Sequence, residues 1–313
     1  MSRTPTWPAS NYVDPAVLDR ERALVFPHHW QLAARQGQLE GPNTYCATEV
    51  AGEPVVVTRD AVGTLHALSN VCRHRAGPVS TGCGARKSLT CAYHGWTYSL
   101  DGHLLRWPEI ELAANELPGL SLPTYEVAEW EGLIFVRLGP GGPSLAEWLG
   151  EMAAEVPAYG IGSMRFERRM AYDLACNWKV YAENFLEPYH LPLVHPELTA
   201  QTDYANYRVE LRAWHSRQFG PTKPGGATAA AGDSGAAWYF LFPNVILNCS
   251  FGLASTNLIV PTGSTTCRVI CDFFVRPDAD LSATEAGIAF SDRVQQEDIG
   301  ICEAVQRGLQ SRS

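Results

Sequence analysis

The sequence predicts an α+β protein of two domains: an antiparallel β domain carrying metal-binding loops, then an antiparallel sheet with a long helix laid across it. Three observations predict it. Over residues 38–138, short β-rich runs alternate with Gly, Pro and Asn, the texture of a small antiparallel domain. Beyond the Gly139-Pro-Gly-Gly-Pro143 stretch, a plausible boundary, strands are flanked by helical patterns rather than alternating with them. Residues 284–309 carry one long helical pattern. A length of 313 residues suits about two domains of ordinary size.

In chain order, Asp14-Pro15 opens a short helix, an N-cap followed by Pro at the first helical position. Val17, Leu18, Leu24 and Val25 recur at seven, and Pro27 stops it. Residues 1–37 thus read as a helical arm packed on the larger, C-terminal body. Residues 38–140 form the β domain, with strands at 54–58, 64–68 and 133–138. Residues 141–313 form the second domain. Helix is expected at 145–156, strand at 166–174, helix at 178–187, strands at 208–219, 238–247, 255–261 and 265–275, and the last helix at 284–309. The Gly-, Ala-, Thr- and Pro-rich residues 220–237 read as a mobile loop, either a substrate lid or a surface insertion.

Composition narrows the function. Hydrophobic residues at 46% and charged residues at 18% are globular rather than disordered proportions. A net charge of −9 argues against nucleic-acid binding, which needs a basic stripe. No apolar run reaches the roughly 18–20 residues of a membrane span; the longest candidate, 236–248, contains Pro243 and Asn244. The N-terminus shows no apolar signal core, so a cytoplasmic location is expected. Nine cysteines without a secretory signal favour metal ligation plus buried thiols over a disulfide framework.

Two constellations carry chemistry. The first is Cys72-Arg-His74 and, after sixteen intervening residues, Cys91-Ala-Tyr-His94. Two Cys and two His satisfy tetrahedral zinc. Yet each loop mixes one Cys with one His, no helix follows, and Gly77 and Gly95 let backbone approach. A Rieske [2Fe–2S] centre needs two Cys on one iron and two His on the other. The second lies in NWKVYAENFLEPYHLPLVHPEL (177–198). A helix broken by Pro192 can bring Glu187, His190 and His195 towards one point, and two imidazoles with a carboxylate suit non-haem iron. His28, His29, His66, His103 and His215 lack spaced partners. Cys267 and Cys271 read as core thiols, Cys83 as an incidental one, and Glu183 as a neighbour of Glu187 one turn away.

CRHRAGP (72–78) with CAYHGWTYSLDG (91–102) resembles the motif of Rieske non-haem iron oxygenase catalytic subunits. It lacks the extra loop cysteines of respiratory Rieske proteins, whose comparable positions are Gly77 and Tyr93. The resemblance spans nearly the whole chain and implies a helix-grip (START-like) catalytic domain. It makes Cys72, His74, Cys91 and His94 the cluster ligands, His190 and His195 the iron ligands, and Glu187 a bridge for electrons between subunits rather than a ligand. The third iron ligand is expected from SDRVQQED (291–298); Asp298 is the choice, with Glu297 and Asp292 as competitors.

PNVILN (243–248), TNLIVP (256–261) and residues 291–311 look similar to the branch of choline monooxygenase and the betaine, carnitine and stachydrine oxygenases. That implies a monooxygenase or dioxygenase taking electrons from NAD(P)H through a separate flavin and iron–sulfur reductase, working as a head-to-tail homotrimer on O2 and a small quaternary or N-methyl amine. Such a site should hold the cation with aromatic faces; Trp214, Trp238, Tyr239 and Phe251 lie in the expected pocket half, each either a core residue or a cage wall, and none is singled out. The alternatives are an aromatic ring hydroxylase, with the same ligands, and a non-enzymatic Rieske electron carrier, which leaves the second constellation unexplained. This branch continues past the VQRGL segment, so a stop at Ser313 is expected to reflect truncation or a missing closing element.

Overall fold

A computed structural model describes residues 7–113, 115–223, 235–250 and 252–311. The chain divides into two compact units, Phe26–Leu145 on one side and Met1–Val25 with Ala146–Ser313 on the other.

Among the described residues, the unit Phe26–Leu145 has ten strands: β1 (Gln31–Arg35), β2 (Thr44–Val50), β3 (Glu53–Arg59), β4 (Leu65–Ser69), β5 (Cys83–Ala85), β6 (Leu89–Thr90), β7 (Thr97–Tyr98), β8 (Leu104–Arg106), β9 (Thr124–Trp130) and β10 (Leu133–Arg137). Seven pair in the order β1-β10-β9-β4-β3-β2-β5, and β6-β7-β8 form a small separate sheet. β3 shows why these residues make sheet. Its three consecutive valines are β-branched and favour extended backbone. Successive side chains point to opposite faces. Val55 and Val57 join one core cluster with Leu39, Ile134 and Val136. Val56 joins the other, with Cys72, Cys91, Trp96 and Tyr98. The metal-loop cysteines therefore rest on a packed core.

Two expectations change here. The helical arm expected over 1–37 ends as helix at Leu24, and Gln31–Arg35 is instead an edge strand paired with β10. Cys83 is not an unpartnered thiol: it is the register partner of Cys46 across β2 and β5, and the two form a disulfide. A separation of 37 residues hid that pairing from the sequence.

The other unit holds β11 (Arg165–Leu174), β12 (Arg208–Leu211), β13 (His215–Pro221), β14 (Gly235–Leu241), β15 (Val245–Cys249), β16 (Leu253–Gly263) and β17 (Thr266–Val275), antiparallel in the order β11-β17-β16-β15-β14-β13-β12. Its helices are α1 (Ser10–Val13), α2 (Pro15–Leu24), α3 (Leu145–Leu149), α4 (Met152–Glu155), α5 (Trp178–Phe185), α6 (Leu191–Val194), α7 (Pro196–Gln201) and the 29-residue α8 (Leu281–Leu309). Asp14 caps α2 by accepting from Ala16 N at 2.9 Å, as the Asp-Pro pair implies. Glu21 of α2 then accepts from Trp178 Nε1 (2.8 Å) and Lys179 Nζ (2.6 Å) at the start of α5.

Three elements predicted as continuous are split. Helix 145–156 breaks at Gly150, whose φ of +49° no α-helix accommodates. Strand 208–219 is a hairpin turning at Arg212–Trp214, and strand 238–247 turns at Phe242–Asn244, where Pro243 has no N–H for a ladder. The expected lid, 220–237, begins as β13 and ends as β14; residues 224–234 lie outside the described residues. No helix among the described residues is long and apolar enough to cross a membrane.

Candidate metal centres

The two loops of the β unit are built alike. Cys72 N donates to Gly77 O and Ala76 N to Cys72 O; Cys91 N donates to Trp96 O and Gly95 N to Cys91 O. Each loop therefore closes with the same offsets from its cysteine, through a left-handed residue, Ala76 (φ 56°) or Gly95 (φ 73°). Both cysteines are 3% exposed, whereas His74 is half-buried and His94 exposed. The His74 and His94 rings lie 4.6 Å apart between centroids, and His74 stacks on Trp96 at 4.9 Å.

Cys72 and Cys91 share one core cluster, and Tyr98 OH sits 3.3 Å from Cys72 Sγ. Burial pushes the Cys91 thiol up, while the backbone N–H groups of Tyr93 and His94 pull it down. Without metal Cys91 keeps its proton, and a bound ion must displace it. A Cβ at Gly77 would stand 3.2 Å from Cys91 Sγ, so the missing side chain leaves the sulfur its room. The donors form an inner sulfur pair and an outer imidazole pair. Among the described residues, the only group of three or more such donors within 4.8 Å of one another lies elsewhere. A two-iron cluster with one pair per iron fits; one tetrahedral ion does not.

That other group is His190, His195 and Asp298. α5 ends at Phe185, earlier than expected, because Pro188 has no donor to extend it and biases Glu187 away from helix. Pro192 breaks nothing: it sits in the first turn of α6, where proline is tolerated. His190 caps α6, and His195 lies in the turn between α6 and α7. Their rings are 5.1 Å apart at 76°.

Each imidazole is oriented from behind. His190 Nδ1 donates to Glu187 Oε1 at 2.7 Å and His195 Nδ1 to Glu297 Oε2 at 2.7 Å. The opposite nitrogens face Asp298 Oδ1, at 3.8 Å from His190 Nε2 and 3.0 Å from His195 Nε2. Asn184 Nδ2 fixes that same carboxylate at 2.6 Å. Burial opposes a charge on His195, but Asp298 and Glu297 outweigh it and raise its pKa above 6.5. Two Nε2 lone pairs and a carboxylate converging from one side are the donor set of a facial triad. Carboxylates on the outer ring nitrogens are the usual support for such ligands. Asp292 is instead bound to Tyr172 OH (2.8 Å), and Glu183 to Tyr12 OH (2.7 Å).

A cavity of about 200 Å³ opens onto the triad. Tyr207 and Trp238 stack on its wall at 5.9 Å and 15°. Trp238 thus lines the cavity, but its neighbour Tyr239 points to the other face of β14 and bonds Glu155 at 2.9 Å. Trp214 does not line the cavity, and Phe251 lies outside the described residues. Sequence reasoning missed Tyr207, Asn184 and a chain of amides. In that chain Asn257 Nδ2 donates to Tyr181 OH (3.4 Å), which donates to Gln295 Oε1 (2.6 Å). The spacings Tyr181–Asn184 and Gln295–Asp298, each three on a helix, were the available signal.

A β unit with a paired-donor cluster site, followed by a helix-gripped sheet with an open facial triad, defines an iron-dependent oxidoreductase. The Rieske [2Fe-2S] domain family matches residues 29–126, and the ring hydroxylating alpha subunit (catalytic domain) family matches residues 161–313. Choline monooxygenase of Beta vulgaris is 32% identical over 98% of this chain and 71% of its own length. The carnitine monooxygenase oxygenase subunit of Escherichia coli K12 is 27% identical over 98% and 85%. The crystal structure of the quaternary ammonium Rieske monooxygenase CntA with L-carnitine superposes with a TM-score of 0.87 at 24% identity, covering 98% of this chain and 86% of that one. Naphthalene 1,2-dioxygenase from Rhodococcus shares the fold at a TM-score of 0.78 and 20% identity, over 97% and 82%. The chain belongs to the Rieske non-haem iron oxygenases, as a catalytic alpha subunit. Its cofactors are the Rieske [2Fe–2S] cluster and a mononuclear non-haem iron, and it draws its electrons from NAD(P)H by way of a reductase.

Proposed function

We propose that this chain oxidises a small quaternary ammonium or N-methyl compound, by hydroxylation or oxidative N-demethylation. The observation that carries it is the small cavity walled by Tyr207 and Trp238 directly in front of His190, His195 and Asp298. Aromatic faces attract a cation that cannot donate hydrogen bonds. A volume of about 200 Å³ is below the usual 300–1,000 Å³ of ligand pockets and suits a small substrate better than a fused aromatic ring. The choline and carnitine relatives point the same way.

In this reading Cys72, His74, Cys91 and His94 hold the cluster, and His190, His195 and Asp298 hold the iron. When bound, the cluster supplies one stored electron and the iron the O2 chemistry. The protein's own work is positional. Glu187 and Glu297 hold the Nδ1 protons, leaving each Nε2 lone pair for metal. Asn184 holds Asp298. The three ligands occupy one side, and the cavity receives substrate on the other.

The domains in this proposal are an N-terminal arm, ending at Val25 rather than 37, a cluster domain running Phe26–Leu145 and a catalytic domain starting at Ala146. Glu187, its side chain 45% exposed, is free to meet a neighbouring subunit's His94 while bonded to its own His190. A head-to-tail homotrimer provides that arrangement as a closed ring, with a flavin and iron–sulfur reductase as electron donor. A cytoplasmic location goes with it: apart from the cluster ligands and the Cys46–Cys83 pair, the five other cysteines are buried thiols, which suits a reducing compartment.

The test is O2 uptake dependent on NAD(P)H and reductase across quaternary amines and aromatic acids. Uptake coupled to trimethylammonium compounds is expected. Uptake coupled to aromatic acids alone refutes the substrate class, and iron at two rather than three per chain refutes the two-centre reading.

A further inference from the structure

The cavity holds one buried polar group with nothing to bond. Gln295 is 6% exposed, and its Nε2 has no hydrogen-bond partner. The Tyr181 hydroxyl accepts from Asn257 Nδ2, so its own proton goes to Gln295 Oε1, leaving the amide N–H free. Burial keeps the Tyr181 phenol protonated, raising it well above its usual range, so this direction holds across working pH. Gln295 and Asn257 both line the cavity, as does Asn248, which is held against Ser255 Oγ (2.9 Å) and Asn257 Oδ1 (3.2 Å). A buried donor left unpaired is costly, and a ligand seated against Gln295 can supply the missing acceptor.

Charge sets the second condition. No Lys or Arg lines this cavity among the described residues. Arg293 and Arg276, at the neighbouring outer cavity, are committed to Glu197 (3.0 Å) and Asp278 (2.7 Å). Three carboxylates, Asp298, Glu297 and Glu187, stand around the two histidines. An anionic group entering here would lose its hydration with no Lys or Arg to replace it.

We propose that Gln295 Nε2 hydrogen-bonds a neutral oxygen of the substrate, a hydroxyl or carbonyl, while the ammonium rests against Tyr207 and Trp238. The pocket then selects cationic alcohols or amides over zwitterionic carboxylates. This rests on the quaternary-amine reading above and sharpens it.

Binding to the iron-loaded, full-length protein tests it by calorimetry. The ligands are choline, a trimethylammonium carboxylate such as carnitine, and tetramethylammonium, which has the cation and no oxygen. Choline is expected to bind at least about tenfold more tightly than the carboxylate. Gln295→Met, which keeps the volume and removes the donor, is expected to weaken choline about tenfold and leave tetramethylammonium unchanged. Tyr181→Phe, which frees the amide to turn, gives the same pattern more weakly. Tighter binding of the carboxylate overturns the inference and leaves the quaternary-amine reading standing. Equal loss for choline and tetramethylammonium reduces Gln295 to a packing role and also overturns it. If no trimethylammonium compound binds, both readings fall.

Discussion

Glu297 stood in the sequence as a rival to Asp298 for the iron; the structure gives it a different task whose size can be worked out. Its Oε2 lies 2.7 Å from Nδ1 of an imidazole whose side chain is only 2% exposed. A hydrogen bond to a charged group contributes roughly 1.5–3 kcal/mol. Glu297 is itself 37% exposed, which places it at the low end, about 1.5 kcal/mol or tenfold in affinity. That agrees with the 10–100-fold typical of carboxylates behind a metal-bound histidine. Glu297→Ala is therefore expected to weaken Fe(II) binding about tenfold, and Glu297→Gln, whose Oε1 still accepts from Nδ1, by less. Asp298→Ala is expected to abolish stoichiometric binding. Competition against a chromophoric chelator measures all three, while the cluster's visible spectrum reports an intact fold. If Glu297→Ala abolishes iron and Asp298→Ala only weakens it, the two residues have been assigned the wrong way round.

Gly77→Ala places a methyl 3.2 Å from Cys91 Sγ; cluster absorbance is expected to fall while mononuclear iron stays, and full loading would remove the steric argument. Glu187→Gln is expected to keep all three irons yet slow reductase-driven turnover at least tenfold, which rapid-mixing of reduced protein with O2 and substrate would separate from iron loss. His215 is buried, which is the main cause holding it below 6.5; Glu151 and Glu155 pull it up and Arg212 down. Below pH 6.5 the unfolded chain gains a proton that the folded one refuses, so stability falls as pH falls, by up to about 1.4 kcal/mol per unit until the folded pKa is reached. Denaturant melts of the wild type and His215→Phe from pH 7 to 5 should diverge in that window, and parallel curves would show that His215 titrates alike in both states.

The ligands were legible because metal chemistry tolerates few residue types: Cys72, His74, Cys91, His94, His190 and His195 stand out by identity and spacing alone. What orients them was not. Pro188 and Pro192 look alike in sequence, but one ends α5 and the other starts α6, a distinction set by which neighbouring residues already have helical backbone. Asn184 and Gln295 resemble ordinary polar positions of a solvated helix, since their partners lie 114 residues away. Trp238 and Tyr239 are equally plausible cage residues until the pleat sends them to opposite faces. The hairpins at Arg212–Trp214 and Phe242–Asn244 carry only weak turn signals, and apolar residues on both sides read as one long strand.

Those distant partners share a cause. α8 carries Asp292, Gln295, Asp298, Cys302 and Gln306 at spacings of three and four, a single stripe along one face. An apolar stripe would bury as well and cost less desolvation. Leucines, however, pack against a sheet in several registers, and sliding costs such a helix little. Here each position answers to a different group: Asp292 to Tyr172 OH, Gln295 to Tyr181 OH, Asp298 to Asn184 and His195, and Gln306 Oε1 to Asn177 N at 2.8 Å. Glu303 adds a bond to Ala175 N from the flank. A slip of one residue turns the stripe by about 100° and breaks all of these bonds together. The polar stripe is thus a device for register, and register is what the site needs. Asp298 must arrive within hydrogen-bond distance of His195, across 103 residues of intervening chain, and only a helix that cannot slide delivers it there.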